Sequence, residues 1–250
     1  MSQQPYKQPP ITEAVIEIRF AAPIGASRLE EISSDLRAQY PYEQQVTDVR
    51  VQLYLPSAPQ ETPTAGTIER PGHRLSSLDQ TQILLLWPEN FIVSQLAPYP
   101  GWDEFFERFR RDWSKWKRLI GYQKISRIGV RFINRIDIPV SGPLVEYEQY
   151  INVYPHLPEV FTNVRGYGVQ AQVPLADMNC LLTLNSLSIP SPLLGHAAFI
   201  VDLDIANEIT PPQNDEVLYE LLNRIRLKKN EIFEACITPR ARELFKPWQD

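Results

Sequence analysis

Cysteine is nearly absent: Cys180 and Cys236 are the only two in a chain of 250 residues. Two thiols cannot build a disulfide framework or a cysteine zinc site, so a reducing cytoplasm is the expected location. Histidine is almost as scarce. His73, His156 and His196 stand apart, without the H-x-H or H-E-x-x-H spacing that zinc takes, so they suggest no metal centre. Glycine numbers 10 against 23 prolines. No G-x-S-x-G, Walker loop or dinucleotide fingerprint occurs, and no cofactor is expected. No apolar run approaches the ~20 residues that cross a bilayer, and the start, MSQQPYKQPP, has no apolar signal core. Positive charge is not in excess either: 25 Lys and Arg against 30 Asp and Glu give a net charge of -5. That balance excludes a strongly basic nucleic-acid binder as a description of the whole chain, though not a local basic patch. What is present is ordinary: 43% apolar residues, enough to bury a sizeable core in a soluble protein with no membrane segment.

The chain repeats itself in outline. Arg19-Phe20 ends an apolar strand, VIEIRF, and Arg131-Phe132 sits in another, IGVRFINRIDI, 112 residues later. Asp103 and Asp215, each near the opening of a helix, are again 112 residues apart. A Phe-Ile-Val strand precedes each helix, at 91–93 and 199–201, with an offset of 108. Three marks in one order suggest an ancient duplication.

Alternation over 14–20 puts Ile16, Ile18 and Phe20 on one strand face and Glu17 and Arg19 on the other. Ser27 is placed to cap a helix reaching Tyr40, with Leu29, Ile32 and Leu36 inward. Strands follow at 49–55, 75–78, 82–87 and 91–96, and the polar stretch 60–72 reads as a loop or worn hairpin tip. Trp102, Phe105, Phe106, Phe109, Trp113 and Trp116 fall at helical spacing, as a core stripe does. The second half gives strands at 127–138, 165–173, 180–188 and 197–205, with a short helix or irregular piece at 145–154. A long helix runs over 215–237, with Leu218, Leu222, Ile225, Ile232 and Cys236 inward, until Pro239 closes it. Lys229, near that stripe, reads as the point where the helix leaves the core. The fold class that follows is α+β: a duplicated β-α-β-β-β-α unit forming one long antiparallel sheet with helices on one face. The two halves, 1–122 and 123–250, would share that sheet as in TATA-box-binding-like or helix-grip-like saddles. Such a fold assigns no function by itself.

Strand parity gathers charge on the uncovered face. Glu13, Glu17 and Arg19 share it on the first strand; Arg127, Arg131, Arg135 and Asp137 share it on the equivalent strand of the second half. Asp202 and Asp204 stand together near the end of the sheet. With Asp48 and Arg50 the face holds five positive and six negative residues, which argues against duplex DNA there. It suits either a polar groove for a peptide, small ligand or partner loop, or a solvated face of cross-strand pairs. Asn134 has inward parity and needs hydrogen bonds if buried. Glu17, Asp202 and Asp204 are the carboxylates that could hold a hard cation for phosphate chemistry. Basic residues cluster at 108–118, as Arg108, Arg110, Arg111, Lys115, Lys117 and Arg118, and again at 224–229.

The segments PPITEAVIEIRF, YPGWDEFFERF, RIGVRFINRIDIP and IFEACITPRARELF resemble those of a sporadically distributed bacterial family of proteins about this long. The resemblance runs from Pro9 to Phe245 and is sharpest at 129–136. It brings no assigned enzymatic activity and leaves the chemistry open; its patchy occurrence resembles that of genes carried with mobile elements or phage-defence loci. The expected function is a non-catalytic binding or scaffold protein with a protein or peptide partner, in a bacterial defence or toxin–antitoxin-like setting. Its expected binding residues are Glu17, Arg19, Arg127, Arg131, Arg135, Asp202 and Asp204. The alternatives are a nucleic-acid-associated protein acting through its basic helix faces and a metal-dependent phosphate enzyme. A homo-oligomer is compatible with any of these.

Overall fold

The computed structural model describes residues 6–54, 64–140, 146–158, 160–161 and 164–247, without the side chains of 49–54 and 64–68. The expected loop over 60–63 and the side chain of Arg50 lie outside it. Nine strands form one antiparallel sheet: β1 (Ile11–Phe20), β2 (Tyr42–Tyr54), β3 (Thr64–Ser76), β4 (Gln82–Leu86), β5 (Asn90–Leu96), β6 (Ile125–Pro139), β7 (Gly168–Leu175), β8 (Cys180–Pro190) and β9 (His196–Asn207). Their order across the sheet is β2-β3-β4-β5-β1-β6-β9-β8-β7. The helices are α1 (Ala26–Leu36), α2 (Trp102–Ile120), α3 (Asp215–Cys236) and α4 (Pro239–Leu244). None among the described residues is long and apolar enough to cross a membrane.

Alternation explains the central strands. Ala14, Ile16, Ile18 and Phe20 of β1 are buried, as are Ile128, Val130, Phe132, Asn134, Ile136 and Ile138 of β6. The same core takes Leu29, Ile32 and Leu36 of α1, the aromatic stripe of α2, and Leu218, Leu222 and Ile225 of α3. Phe20 stacks on Trp116 with centroids 5.2 Å apart, and Phe91 meets the same indole at 5.2 Å. Such pairs add about 0.5–1.5 kcal/mol each beyond the area they bury. Helix α2 carries Asp103 and Glu104 in its first turn and Lys117 and Arg118 in its last, which suits the helix dipole. Gly121 ends it at φ 82°, a left-handed conformation that favours glycine. Helix α3 is capped by Asn214, whose side chain accepts from Val217 N at 3.0 Å. The two long helices are tied together by Trp102 Nε1 to Asn223 Oδ1 (2.8 Å) and Trp113 Nε1 to Asp215 Oδ1 (3.0 Å).

Four sequence expectations shift. Residues 64–72 form strand, because β3 pairs with β2 from Tyr42↔Ser76 to Tyr54↔Thr64. Its sequence has no apolar alternation over 69–74, so only the backbone ladder marks it. Pro71 is tolerated because β4 reaches no further than His73, which leaves β3 an edge there. Helix α1 begins at Ala26 with Gly25 as its N-cap, and Ser27 caps nothing. The five strands of the first half and the 3-10 turn at Tyr147–Gln149 follow the residue-by-residue reading, but the β-α-β-β-β-α scheme drops one of those strands and counts a second α1 where the described residues hold that turn. Lys229 does not leave the core: it is 7% exposed.

A buried polar network holds α2 to the sheet. Tyr40 Oη donates to Asp112, which also accepts from Arg111 Nε at 2.8 Å. Arg108 reaches Tyr40 Oη at 3.2 Å and the Ser94 carbonyl at 2.7 Å. Burial pushes the Tyr40 phenol well above its ordinary range, with the Asp112 charge adding to the shift. Replacing Tyr40 by Phe removes a donor from a fully buried carboxylate. We expect Tyr40→Phe to lose about 1–3 kcal/mol in urea unfolding; a loss below about 0.5 kcal/mol would mean that Arg111 satisfies Asp112 alone.

Candidate functional site

Strands β1, β6 and β9 bring most of the expected binding residues together on the polar face. Glu17 lies opposite Gly129 in the β1–β6 ladder. Because position 129 has no side chain, Arg127 folds back over it; a Cβ there would lie 2.3 Å from Arg127 Nη1. From that seat the guanidinium donates to Glu17, to Asp204 Oδ2 at 2.8 Å and, through Nε, to Glu208 Oε1 at 2.8 Å. Burial pushes the Asp204 carboxyl above its usual range; Arg127 opposes that shift and the Glu17 charge adds to it. Arg131 forms a separate bidentate pair with Asp202, both contacts 2.8 Å, and Asn185 Nδ2 donates to the same carboxylate at 3.0 Å. Arg135 stands apart, donating to Asp137 at 3.0 Å. Arg19 lies at the exposed end and reaches Glu17 at 3.4 Å.

The face is therefore charge-saturated from within. Any ligand arriving there displaces an existing pair, and Arg127 already sits between Glu17 and Asp204. Among the described residues no group of three or more His, Cys, Asp or Glu is gathered to hold a metal ion. The basic residues of α2 are committed in the same way. Arg108 is buried, Arg110 pairs with Glu107 at 3.2 Å, and Arg111 pairs with Asp112. Lys115 and Arg118 approach Asp35 at 3.9 and 3.3 Å, and Lys117 pairs with Asp215.

The opposite, helix-covered side holds a different arrangement. A cavity of about 600 Å³ opens between the starts of β1 and α2, the middle of β6, the second half of α3, and α4. Ile11, Tyr99, Trp102, Phe132 and Phe233 supply its apolar wall. Lys229 enters it from α3, with Nζ 3.9 Å from the Phe132 ring centroid. Beyond this cation–π contact, Nζ makes no hydrogen bond or ion pair with a described residue. Burial pushes the Lys229 ammonium down to about 7; Arg226 adds to that shift and Glu234 opposes it. Asn134 lines the same cavity at 1% exposure. Its Nδ2 donates across the ladder to Val201 O at 2.9 Å, and its Oδ1 accepts from no described residue. The carboxylates nearby are occupied: Glu234 accepts from Tyr6 Oη at 2.5 Å and Arg242 Nε at 2.7 Å, and Glu231 pairs with Lys228 at 2.9 Å. Another hollow, of about 630 Å³, lies beside Trp87, where Arg70 and Glu89 pair with each other at 2.5 Å.

Lys229 was the functional candidate that sequence reasoning passed over, although a signal existed. It follows Ile225 by four residues and precedes Phe233 by four, so it occupies the buried stripe itself.

Two outcomes follow from this geometry. Gly129→Ala should cost about 1–3 kcal/mol in urea unfolding by driving Arg127 off its three carboxylates, and much less in an Arg127→Ala background. Equal losses in both backgrounds would show that the close approach does not matter. For Lys229 the unfolded chain takes up a proton below the ordinary lysine value of 10.5, the folded chain only below about 7. The unfolded state thus binds more protons across that window, so stability falls as pH drops through it, by an amount on the order of a few kcal/mol. Lys229→Met should be more stable than the parent at neutral pH and should gain less on going to alkaline pH. A variant less stable than the parent, or equally pH-dependent, would contradict the burial of an unpaired amine. Compared with known proteins, the chain matches no family model and no curated protein, so a functional reading rests on the chemistry of these side chains.

Proposed function

We propose that the chain is a non-catalytic binding protein whose ligand is a small, largely apolar molecule held in the cavity between β1, β6, α3 and α4. One observation carries this reading: Lys229 and Asn134, largely buried as residues, turn an amine and an amide oxygen into one open cavity without a partner among the described residues. In an open cavity such groups are left to water, and a ligand that completes them exchanges that water for direct bonds. The volume, about 600 Å³, suits a drug-sized molecule. On the polar face the charges engage one another, which favours the cavity over that face as the place for a ligand. The defence or toxin–antitoxin-like setting remains an implication of the sequence resemblance.

The duplication belongs to the same proposal. Its support is the placement of the strands that carry the repeated marks: β1 and β6, with Arg19-Phe20 and Arg131-Phe132, lie side by side at the centre of the sheet, and each has a Phe-Ile-Val strand, β5 or β9, on its outer flank. The long sheet with helices on one face also suits the saddle architecture.

The test is uptake of N-phenyl-1-naphthylamine, a neutral fluorescent molecule with an apolar body. We expect saturable binding of one molecule per chain, weakened about tenfold or more by Ile11→Trp or Leu227→Trp at the cavity wall. Absence of saturable binding, or binding indifferent to both substitutions, would sink the reading.

A further inference from the structure

We infer that the cavity selects an organic anion: an acid group on an apolar body, with the anionic head against Lys229 Nζ and a hydrogen-bond donor against Asn134 Oδ1. This inference rests on the cavity reading and adds the chemical class of its ligand. The argument is a balance of charges around one side chain. The charged or titratable groups facing the cavity about Lys229 are Arg226, Glu231 and Glu234 on its own helix, Tyr6 from the N-terminal segment, Tyr99 from the β5–α2 connection, and Arg242 from α4. Strand β6 contributes only Phe132 and Asn134. Both carboxylates are already engaged, Glu234 by Tyr6 and Arg242, Glu231 by Lys228. What remains facing the space without a partner among the described residues is the Lys229 amine. A cationic ligand would meet repulsion from its ammonium form. A neutral apolar ligand would fill the volume and leave the amine as it is. An anion fits better, because in a site of low dielectric it stabilises the ammonium form.

The position of Lys229 strengthens the case. Its Nζ lies over the face of Phe132, where the ring quadrupole favours a cation. The aromatic surface therefore holds the ammonium on one side, and the cavity leaves the other side open to an anion. Asn134 is two residues further along β6 on the same face of the strand, so its oxygen lies next to that seat. Its orientation is set by the Nδ2 bond to Val201 O, which fixes Oδ1 as the acceptor. A ligand with an acid group beside an N–H or O–H would answer both.

Binding an anion must then load a proton onto Lys229 wherever the amine is neutral in the empty protein. Affinity for the anion should fall as pH rises above about 7, by up to about tenfold per unit. Affinity for a neutral ligand should not.

The experiment compares two probes that share an apolar body and a bridging N–H: 1-anilinonaphthalene-8-sulfonate, which is anionic, and N-phenyl-1-naphthylamine, which is neutral. The readout is the ratio of their affinities, measured by fluorescence titration on the full chain at about pH 6 and about pH 9. We expect the sulfonate to bind about tenfold or more tightly than the neutral probe at the lower pH. That ratio should collapse towards one at the higher pH, and also in Lys229→Met at either pH. A ratio near one in the parent, or a ratio unchanged by Lys229→Met, would overturn the anion inference while leaving the cavity reading intact. Failure of both probes would overturn both. Sulfonate binding that survives Ile11→Trp and Leu227→Trp would put the anion elsewhere on the molecule and equally overturn the inference.

Discussion

The ladder between β1 and β6 joins two meanders into one sheet. On one side β2 to β5 run back to lie against β1; on the other β7 to β9 run back to lie against β6. Without that ladder each meander would expose a central strand as an open edge, with unpaired N–H and C=O groups inviting aggregation. The register is specified by what each strand buries. A slip of one residue would send Ile16 and Ile18 to the polar face and Glu17 into the core. It would also move Gly129 away from Glu17, and with it the gap over which Arg127 folds. Core alternation and the arginine's seat therefore demand the same register.

That constraint separates two kinds of electrostatics. On the polar face, charges are numerous and mutually satisfied, and partly exposed pairs such as Arg135–Asp137 contribute about 0–1 kcal/mol each. Their work is mainly to specify geometry, since Arg127 gathers Glu17 of β1, Asp204 of β9 and Glu208 just beyond it. On the helix-covered side, charge is rare and in one place unsatisfied. Lys229 opposes folding at neutral pH, whereas methionine would fill the same stripe without that penalty. A cluster of mutually paired charges on one side of the sheet and an unpaired amine facing a cavity on the other carries a local conflict of the kind expected at functional sites.

Much of this fold was legible in the sequence because its central elements carry strong periods. The alternation of AVIEIRF and the helical spacing of Trp102, Phe105, Phe109, Trp113 and Trp116 each match one burial pattern, and both are observed. Strand β3 was not legible. The run Glu69-Arg70-Pro71-Gly72-His73-Arg74 has no apolar alternation, and what makes it a strand is pairing with distant backbone. The site residues show the same division. Parity correctly put Arg127, Arg131 and Arg135 on one face, yet each has a different destination. Arg127 turns back over Gly129, Arg131 reaches Asp202 on β9, and Arg135 pairs within its own strand. Those destinations depend on cross-strand register, which no single strand encodes.

Asn134 and Lys229 bear on the question from opposite directions. Asn134 could be read as an inward amide from strand parity alone, and half of it is accounted for structurally by the bond to Val201. Lys229 could have been read as an apolar-stripe residue of the wrong chemistry, and no structural bond accounts for it. They come from elements nearly 100 residues apart in sequence, yet both face one cavity because α3 crosses β6 beside Phe132. An isolated buried amide is a common structural device. An amide oxygen and an amine facing the same open volume are harder to explain as packing, because the bond to Val201 leaves that oxygen unused and an apolar residue at 229 would fill the stripe without the cost of burying a lysine. The conjunction, more than either residue, directs attention to the helix-covered cavity and away from the charged face that strand parity first singled out.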